Sequence, residues 1–450
     1  MKFSGKRALV LGLGETGYSA ARWLKSVGAD VSAADTRSEP PRSVPGMKVF
    51  CGPFREEILE GIDLLVLSPG ISIHEPLVQK AMAAGIDVAG DVELFAREIA
   101  SRHPASKVVA ITGSNGKSTV TAMVGRICEQ SALATVVAGN IGLPVLDTLE
   151  EVAQVYVLEL SSFQLETLRS LSPDASAALN LSEDHLDRHG TMDEYARAKA
   201  AIFAGEGVQV LNREDPAIMA MRLPGRRVFT FGSSVPASDG EYGIVESRGE
   251  KWLANGARKL MKVSQLKVEG LHNAMNALAS FALCEAIGIA EEKIAAALAE
   301  FSGLPHRVEK VCEIGGIRFY DDSKGTNVGA TVAALTGLGG TSVVILGGEG
   351  KGQDFSLLKP AIEAHARAVV LIGRDADVIG RSISGGQVPH LRANSLDEAV
   401  RMAFDAARDG DAVLLSPACA SFDMFRNYAH RAEVFVESCR KLEKEACLSR

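Results

Sequence analysis

A glycine-rich segment in the first third of the sequence has the residue types that bind nucleotide phosphates. "TGSNGKST" (112–119) follows the apolar run "KVVAI" and precedes "VTAMVGRICEQ", which predicts a strand, a tight loop and a helix. In such a loop, backbone N–H groups surround phosphate oxygens, a lysine (Lys117) neutralises the outer phosphates and a hydroxyl (Ser118) lies beside the metal. The standard spacing requires a glycine where Ile111 stands. The residues alone therefore leave open a shortened phosphate loop or an incidental turn.

Two polar segments downstream could complete a metal-dependent site. "VYVLELSS" ends an apolar strand in Glu159, and the carboxyl ends of neighbouring parallel strands meet at one edge of a sheet. Carboxylate oxygens are ligands that Mg²⁺ prefers. "SEDHLDRHGTMDEYARAK" adds His185, His189 and Lys199, but the absence of a third ligand or an H-E-x-x-H pattern disfavours zinc. A helix N-cap is the alternative role for His185. We expect Lys117, Glu159 and His185 to line one crevice.

The N-terminal segment carries a second glycine motif. "VLGLGETG" has the G-x-G-x-x-G spacing between a predicted strand and helix, and Asp35 follows after about 20 residues. Taken alone, this motif favours an NAD-dependent oxidoreductase. A βαβ unit that binds another nucleotide, such as a uridine ligand, and a purely structural turn are the alternatives. A dehydrogenase has no need of the loop at 112–119, which weakens the NAD interpretation.

The composition is that of a soluble enzyme. The 450 residues are 46% hydrophobic and 23% charged, with a net charge of −8, which disfavours nucleic acid or a membrane surface as partner. We find no signal peptide and no apolar stretch near the roughly 20 residues that span a bilayer. The seven cysteines are scattered without a C-x-x-C pair, which suits a reducing compartment. We therefore predict a cytoplasmic protein without membrane insertion, and we expect a monomer.

The order of elements predicts an α/β protein of three domains. Short apolar strands alternate with alanine-rich helices, the pattern of parallel sheets covered on both faces. Polar segments at 101–107 and 301–311 suggest the boundaries. The predicted domains are a Rossmann-like N-terminal domain (1–96), a central P-loop ATPase-like domain with a parallel sheet (97–302) and a Rossmann-like C-terminal domain (303–450).

The shortened loop and several other segments together resemble the Mur ligases of peptidoglycan synthesis. These segments are "LELSSFQL", "NLSEDHLDRHGT", "YARAKAAIF", "LHNAMNALA", "HRVE", "DDSKGTNVGAT", "LGGEGKGQDF" and "LSPACASFDMF". The resemblance covers nearly the whole chain, and "DSKGTN" and "SPACASFD" are most specific to the type that adds D-glutamate. In that family the loop with this spacing is a genuine phosphate loop.

The resemblance implies an ATP-dependent, ADP-forming amide ligase. It would add D-glutamate to UDP-N-acetylmuramoyl-L-alanine through an acyl phosphate and a tetrahedral intermediate, with ATP and two Mg²⁺ ions. The N-terminal domain would bind the UDP-substrate, the central domain ATP and the C-terminal domain the amino acid. A relative that adds L-glutamate or another amino acid, an NAD-dependent oxidoreductase and a nucleotide-binding protein without turnover are the alternatives.

The resemblance also implies roles for single residues around the nucleotide. Lys117 would hold the β- and γ-phosphates, and Ser118, Glu159 and His185 would be metal ligands. Lys199 matches a lysine that is carbamylated in the family, and an anionic carbamate suits a metal-rich site. Lys117, Glu159, His185 and Lys199 are thus the implied catalytic residues. The implied ATP-binding residues are Gly113, Ser114, Asn115, Gly116, Lys117, Ser118, Thr119, Asn273, Asn276, Arg307 and Asp322.

Two further sets follow from the same resemblance. The first glycine motif would serve UDP rather than NAD, and the implied residues for the UDP-substrate are Gly14, Thr16, Asp35, Thr36, Arg37, Ser68, Gly70, Asn140, Ser161, Gln164 and His185. The implied residues for the amino acid are Lys324, Thr326, Lys351, Ser421, Phe422 and Tyr428. Lysines and a hydroxyl complement the two carboxylates of glutamate. Tyr428 stands where the family usually has phenylalanine, which leaves the strictness and chirality of amino-acid selection open.

Overall fold

The chain is organised around three β-sheets. The computed structural model describes residues 3–448, with side chains as far as Ala446, and the sheets lie within that range. The backbone forms two compact units. The first unit contains the chain up to Asn180, Asp193–Met261 and Ala277–Leu298. The second unit contains Leu181–Met192, Lys262–Asn276 and the chain from Ala299 onwards.

The first sheet is parallel and belongs to the first unit. Its strands are β1 (Arg7–Leu11), β2 (Asp30–Asp35), β3 (Lys48–Cys51), β4 (Leu64–Leu67) and β5 (Asp87–Gly90), in the order β3-β2-β1-β4-β5. The accompanying helices are α1 (Glu15–Ser26), α2 (Pro76–Ala83) and α3 (Asp91–Arg102). The interior strand β4 is buried along its whole length, as expected for a strand with helices on both faces.

The second sheet has nine strands within the described residues. They are β6 (Lys107–Thr112), β7 (Thr135–Gly139), β8 (Val155–Glu159), β9 (Ala175–Ala178), β10 (Val208–Asn212), β11 (Val228–Phe231), β12 (Glu241–Ser247), β13 (Glu250–Asn255) and β14 (Arg258–Lys262), in the order β14-β13-β12-β11-β10-β9-β6-β8-β7. The helices of this part of the sequence are α4 (Lys117–Gln130), α5 (Ser162–Leu165), α6 (Leu186–His189), α7 (Met192–Ala200), α8 (Pro216–Met219), α9 (Leu271–Ala286) and α10 (Glu291–Glu300).

Most of this sheet is parallel, but β12 and β13 form an antiparallel hairpin. The prediction of a parallel central sheet did not include this antiparallel hairpin. The two residues of its turn, Arg248 and Gly249, have φ values of 55° and 75°. Positive φ at both positions is typical of the two-residue turns whose twist matches that of the flanking strands.

The third sheet belongs to the second unit. Its strands are β15 (Glu309–Ile314), β16 (Ile317–Asp321), β17 (Ser342–Gly347), β18 (Ala366–Ile372), β19 (His390–Arg392) and β20 (Ala412–Leu415), in the order β15-β16-β20-β17-β18-β19. Its helices are α11 (Val328–Gly337), α12 (Lys359–His365), α13 (Ala376–Ser382), α14 (Leu396–Ala406) and α15 (Tyr428–Leu448). Along β17, Val344 and Leu346 belong to one buried apolar cluster, and Val343 and Ile345 to another. Because side chains alternate along a strand, this sheet has a core on each face.

The predicted α/β class, with three sheet-centred domains, is confirmed. The strands of the three sheets lie between Arg7 and Gly90, between Lys107 and Lys262, and between Glu309 and Leu415. Helix α3 continues across position 96 without a break, and the limits predicted at 96 and 302 stay predictions. No helix in the described range has the length and apolar character required to cross a membrane.

His272, near the start of α9, provides a test of packing in the second unit. Its Nδ1 is buried without a hydrogen-bond partner in the described part of the chain, and burial lowers the pKa of His272 from 6.5 to about 4. The folded state therefore resists the protonation that the unfolded chain accepts below pH 6.5, so stability is lost as the pH falls from about 6.5 towards 4. The loss attributable to one such histidine is at most about 3 kcal/mol.

We expect His272→Asn to reduce this acid sensitivity. Thermal unfolding of the variant and the unmodified protein at pH 7 and pH 5 measures the effect. His390→Asn is the matched control, because His390 is exposed on β19. If both variants lost stability with acid as steeply as the unmodified chain, the assignment to His272 would be wrong.

Candidate active site

The glycine loop connects β6 to α4 in the first unit. Gly113 and Gly116 have φ values of 152° and 82°, in the region that favours glycine, and Gly116 is the N-cap of α4. A Cβ on Gly113 would lie 3.0 Å from Cβ of Leu179, so the loop also passes close to the chain after β9. The loop thus leads directly into the N-terminus of a 14-residue helix, an arrangement that favours phosphate binding.

Asn180 holds the loop in place. Its carbonyl oxygen accepts a hydrogen bond from N of Ser114 at 2.9 Å, and its side-chain Oδ1 accepts one from N of Asn115 at 2.8 Å. Its Nδ2 donates to the carbonyl oxygen of Asn115 at 3.0 Å. Sequence reasoning missed this residue, although its place at the start of the polar run "NLSEDH" is the signal that could have identified it.

Two lysines donate to one loop carbonyl. Nζ of Lys117 lies 2.8 Å from the carbonyl oxygens of both Gly113 and Ser114. Nζ of Lys199, from α7, also lies 2.8 Å from the carbonyl oxygen of Gly113 and 4.6 Å from the centre of the Tyr195 ring. Lys199 is 1% exposed, so a long cationic side chain is fully buried beside the loop. Both lysine side chains therefore place their nitrogen at the same backbone atom of the loop.

Glu159 ends β8 beside the strand that carries the loop. It pairs with Ile111 of β6 in the parallel register, so the acid and the loop lie at the same edge of the sheet. Its side chain is buried, and Oε1 accepts a hydrogen bond from Nδ2 of Asn140 at 2.8 Å. Oε2 is buried and, among the residues that the structure describes, has no hydrogen-bond partner.

This oxygen tests whether Mg²⁺ suits the site. A buried carboxylate oxygen without a donor is costly, and a hard cation compensates it well. Ser118, the hydroxyl residue of the loop, is also buried at the start of α4. The donor set of Glu159 and Ser118 fits Mg²⁺. The role of these two residues as metal ligands stays a prediction.

A cavity of about 470 Å³ lies in the first unit, between the carboxyl ends of the first sheet and the segments after β7 and β8. Its volume suits a small-molecule ligand. Nine of the eleven residues implied for the UDP-substrate line it: Gly14, Thr16, Asp35, Thr36, Arg37, Ser68, Gly70, Asn140 and Gln164. Ser161 is outside the lining but donates to Oε1 of Gln164 at 3.1 Å from both N and Oγ.

Asp35 fixes one wall of the cavity. Oδ2 accepts hydrogen bonds from N of Leu13 at 2.7 Å and from Nη2 of Arg37 at 2.6 Å, while Oδ1 accepts from Nε of Arg37 at 2.8 Å. The two-pronged contact with Arg37 is the main reason that the pKa of Asp35 lies well below its usual range. Asp35 therefore orders both the glycine turn and an arginine that lines the cavity.

The other predicted nucleotide residues lie in the second unit. Asn273 and Asn276 face each other in α9, with Nδ2 of Asn276 donating to Oδ1 of Asn273 at 3.3 Å. Asp322 is buried and accepts a hydrogen bond from Oγ of Ser416 at 2.6 Å. Burial raises the pKa of Asp322 to about 7, and the charge of Arg307 acts in the opposite direction. The charge of Arg307 thus favours the ionised form of Asp322.

His185 also belongs to the second unit, where it precedes α6 with a φ of 55°. Its Nε2 lies 3.6 Å from Oδ2 of Asp184, and its side chain makes no capping bond to α6. His185 thus occupies the N-cap position of α6, which is the alternative role, but without a side-chain capping bond. The predicted convergence is seen for Lys117 and Glu159 at one sheet edge, whereas for His185 it stays a prediction.

Five of the six residues predicted for the amino acid lie on loops of the second unit, and the sixth, Tyr428, is the first residue of α15. Nζ of Lys324 lies 3.8 Å from the centre of the Tyr428 ring, a cation–π contact that needs the ring and not its hydroxyl. Tyrosine in place of the family's phenylalanine preserves this contact. Lys351 has a φ of 52°, Ser421 is buried and Phe422 is 69% exposed. Thr326 is half-buried in the loop before α11.

A buried arginine that sequence reasoning missed joins two of these loops. Arg431 is 0% exposed; its Nη2 donates to the carbonyl oxygen of Ser323 at 2.9 Å and to that of Cys419 at 3.1 Å. Its Nε donates to Oγ of Ser323 at 3.0 Å. It thereby ties the segment before Lys324 to the segment before Ser421. The residues around it, "FRNYAHR", are also typical of the exposed face of a helix, so they do not identify Arg431 as buried.

Comparison with known families matches all three parts of the chain. The model for a Mur ligase MurD-like N-terminal domain matches residues 6–90, the Mur ligase middle domain 111–284 and the Mur ligase glutamate ligase domain 306–419. A relative from Thiobacillus denitrificans named UDP-N-acetylmuramoylalanine–D-glutamate ligase is 55% identical, over 98% of each chain. A relative of the same name from Methylobacillus flagellatus is 53% identical, over 99% of each chain.

Solved structures share the fold at low identity. The MurF ligase from Thermotoga maritima, in complex with ADP, is 16% identical with a TM-score of 0.63, covering 100% of this chain and 97% of that one. The UDP-N-acetylmuramate–alanine ligase MurC from Thermotoga maritima is 22% identical with a TM-score of 0.61, covering 97% and 99%. With three matching domain models and relatives of more than half identity along the whole chain, this protein belongs to the Mur ligase family.

Proposed function

We propose that the chain is an ATP-dependent ligase that joins D-glutamate to UDP-N-acetylmuramoyl-L-alanine and releases ADP and phosphate. The observation that carries this proposal is the end of the second sheet, where Lys117 and Lys199 converge on one loop carbonyl and a buried oxygen of Glu159 lacks a donor in the described chain. This is chemistry for a metal-bound triphosphate. The identity of the other substrates is supported by the names of the relatives that match the chain from end to end.

The nucleotide is proposed to bind with its phosphates on the loop at 113–118. Backbone N–H groups, the N-terminus of α4 and the ammonium of Lys117 stabilise the negative charge. Ser118 and Glu159, with His185 and a carbamylated Lys199, would hold Mg²⁺, which supplies further charge neutralisation when bound. On the second unit, the proposed nucleotide contacts are those of Asn273, Asn276, Arg307 and Asp322.

Two bonds are made in sequence. A carboxylate oxygen of the alanyl group attacks the γ-phosphorus, and ADP leaves, which yields an acyl phosphate. The amine of glutamate then attacks the acyl carbon, loses a proton and passes through a tetrahedral intermediate from which phosphate leaves. Lys117 and the loop N–H groups act on the phosphoryl oxygens, where charge redistributes in the transition state.

The two remaining substrates are assigned to separate pockets. The cavity of about 470 Å³ would take the UDP-sugar, with Arg37 and the glycine turn near the nucleotide. Lys324, Lys351 and Ser421 would bind the carboxylates of glutamate, with Thr326, Phe422 and Tyr428 shaping the pocket. We further propose that the protein works in the cytoplasm as a monomer, without nucleic-acid or membrane partners, in keeping with its net charge of −8.

Phosphate release tests the proposal. The purified chain is supplied with UDP-N-acetylmuramoyl-L-alanine, ATP and Mg²⁺, and a panel of D- and L-amino acids is added one at a time. We expect release with D-glutamate and a background rate with L-glutamate. Reactions without the UDP-substrate serve as the control for uncoupled ATP hydrolysis.

The other outcomes identify the alternatives. Equal rates with L-glutamate would assign the chain to a different specificity. Binding of a nicotinamide cofactor without any ATP turnover would indicate an oxidoreductase and overturn the ligase assignment.

A further inference from the structure

Asp91 is a buried carboxyl group that the proposed reaction leaves without a role. It is the first residue of α3, directly after β5, and is 2% exposed. Its Oδ2 accepts a hydrogen bond from Nε2 of Gln164 at 3.4 Å, while its Oδ1 is buried and finds no partner within residues 3–446. Burial raises the pKa of Asp91 to about 6. Burial of a carboxyl group with an unsatisfied oxygen lowers the stability of the folded state, so the presence of Asp91 is best explained by the residue that it contacts.

Gln164 links Asp91 to the substrate cavity. It lies in α5, is 4% exposed and is part of the wall of the cavity. Its Oε1 accepts hydrogen bonds from N and Oγ of Ser161, and its own N donates to Oγ of Ser161 at 3.2 Å, which forms a capping box. The side chain is therefore held at both ends, by Ser161 and by Asp91.

The two contacts determine which way the carboxamide of Gln164 points. The backbone N–H of Ser161 can only donate, and an ionised Asp91 can only accept. The oxygen of the carboxamide must therefore face Ser161 and its nitrogen must face Asp91. Of the two hydrogens on Nε2, one is directed to Asp91, and the other has no acceptor among the side chains and backbone that the structure describes. That second N–H is a donor at the cavity wall.

The position of Gln164 indicates which part of the substrate this donor meets. The residues near the proposed nucleotide end, such as Thr16 and Arg37, follow strands of the first sheet. Gln164 and Asn140 instead follow β8 and β7 of the second sheet. The part of the ligand that reaches Gln164 is thus the sugar with its acyl substituent, which carries carbonyl and hydroxyl oxygens as acceptors.

We propose that Asp91 is a positioning residue for the UDP-substrate: it holds the carboxamide of Gln164 with one N–H free to bind an oxygen of the sugar or its acyl chain. This role rests on the proposed function. It concerns the affinity for the part of the substrate beyond UDP. Loss of Asp91 should therefore weaken binding of the complete substrate and leave binding of UDP unchanged.

Glu93 provides a matched control on the same helix. It is also 2% exposed and accepts hydrogen bonds from N of Arg169 at 2.8 Å, N of Ser170 at 2.9 Å and Nε of Arg97 at 2.8 Å. It ties α3 to the chain after α5 but is not part of the cavity lining. Glu93→Gln alters the contacts of a buried carboxylate on the same helix but leaves the hydrogen bonds of Gln164 in place.

The experiment measures binding of UDP-N-acetylmuramoyl-L-alanine and of UDP to the full-length chain by calorimetry. Asp91→Leu removes the acceptor but keeps the branched shape of the side chain, and it should weaken binding of the complete substrate roughly tenfold, the value of one lost hydrogen bond, with UDP affinity within about twofold of the original. Asp91→Asn keeps an acceptor oxygen and should restore most of the affinity. Glu93→Gln should leave both affinities unchanged.

Thermal unfolding establishes that each variant is folded, and Asp91→Ala is the second variant should leucine prevent folding. In a double substitution, Asp91→Leu should add no loss to that of Gln164→Met, because both act through one contact. Equal weakening of both ligands, an unchanged affinity in Asp91→Leu or a matching loss in Glu93→Gln would overturn the positioning role. An unmodified chain that binds UDP but not the complete substrate would refute the proposed function itself, and the positioning role with it.

Discussion

Lys117→Ala is expected to lower the rate of phosphate release by on the order of 10²-fold or more. The ammonium of Lys117 is held by the carbonyl oxygens of Gly113 and Ser114, so it is already placed at the loop before a phosphate arrives. Stabilisation of charge on a transferring phosphoryl group by a preorganised cation is worth several kcal/mol. Removal of that cation should therefore affect the chemical step more than substrate binding.

Initial rates at saturating substrates measure this effect. Lys251→Ala is the matched control, because Lys251 is an exposed residue of β13 and the substitution makes the same change in net charge. The control should retain full activity. Turnover of the Lys117 variant at the original rate would contradict the assignment of the loop.

Lys199→Ala is expected to abolish most activity and to respond to added formate or acetate. Lys199 is fully buried beside the loop, and its nitrogen contacts the carbonyl oxygen of Gly113. If CO₂ converts this ammonium to a carbamate, the group at the site is an anion, and a small carboxylate that enters the space left by the side chain replaces it. An unmodified ammonium would not be replaced in this way.

Lys117→Ala is the comparison for rescue, since a missing cation cannot be supplied by a carboxylate. We expect partial recovery for Lys199→Ala alone. Incubation with isotopically labelled bicarbonate should also give a carbamate signal in the NMR spectrum of the unmodified chain and none in the Lys199 variant. Full activity of Lys199→Ala without additives would reject the role.

Features encoded by neighbouring residues were predictable from the sequence. The phosphate loop follows from a strand, a glycine turn and a helix that are adjacent in the chain, and the φ values of Gly113 and Gly116 agree with that prediction. The same holds for the parallel sheets, since an apolar run followed by an amphipathic helix is a local pattern. The hairpin of β12 and β13 was missed because its turn is Arg248-Gly249, a weaker signal than Asn-Gly.

Contacts between distant polar residues were not predictable. Asn180 lies 65 positions after the Asn115 that it holds, and Asp91 lies 73 positions before Gln164. Nothing in the chemistry of a single asparagine or aspartate indicates which of many partners it meets after folding. Arg431 is the extreme case, because an arginine in a helix is usually exposed and this one is completely buried.

The first glycine motif shows that its acidic residue can have different hydrogen-bond partners in different proteins. In a dinucleotide-binding domain, the acidic residue after the second strand binds ribose hydroxyls. Here both oxygens of Asp35 accept N–H donors from Leu13 and Arg37. Asp35 therefore has a structural role here, and Arg37 lines the cavity beside it.

The continuity of α3 limits where the chain can be cut. The helix follows β5 directly and ends at Arg102, shortly before β6, so the connection between the first two sheets is itself a folded element. Truncation after position 96 would separate Glu93 from Arg97, Arg169 and Ser170, which together satisfy its buried carboxylate. The N-terminal sheet is therefore not expected to fold by itself, and recombinant fragments made for binding studies should retain the whole first unit, whose last segment ends at Leu298.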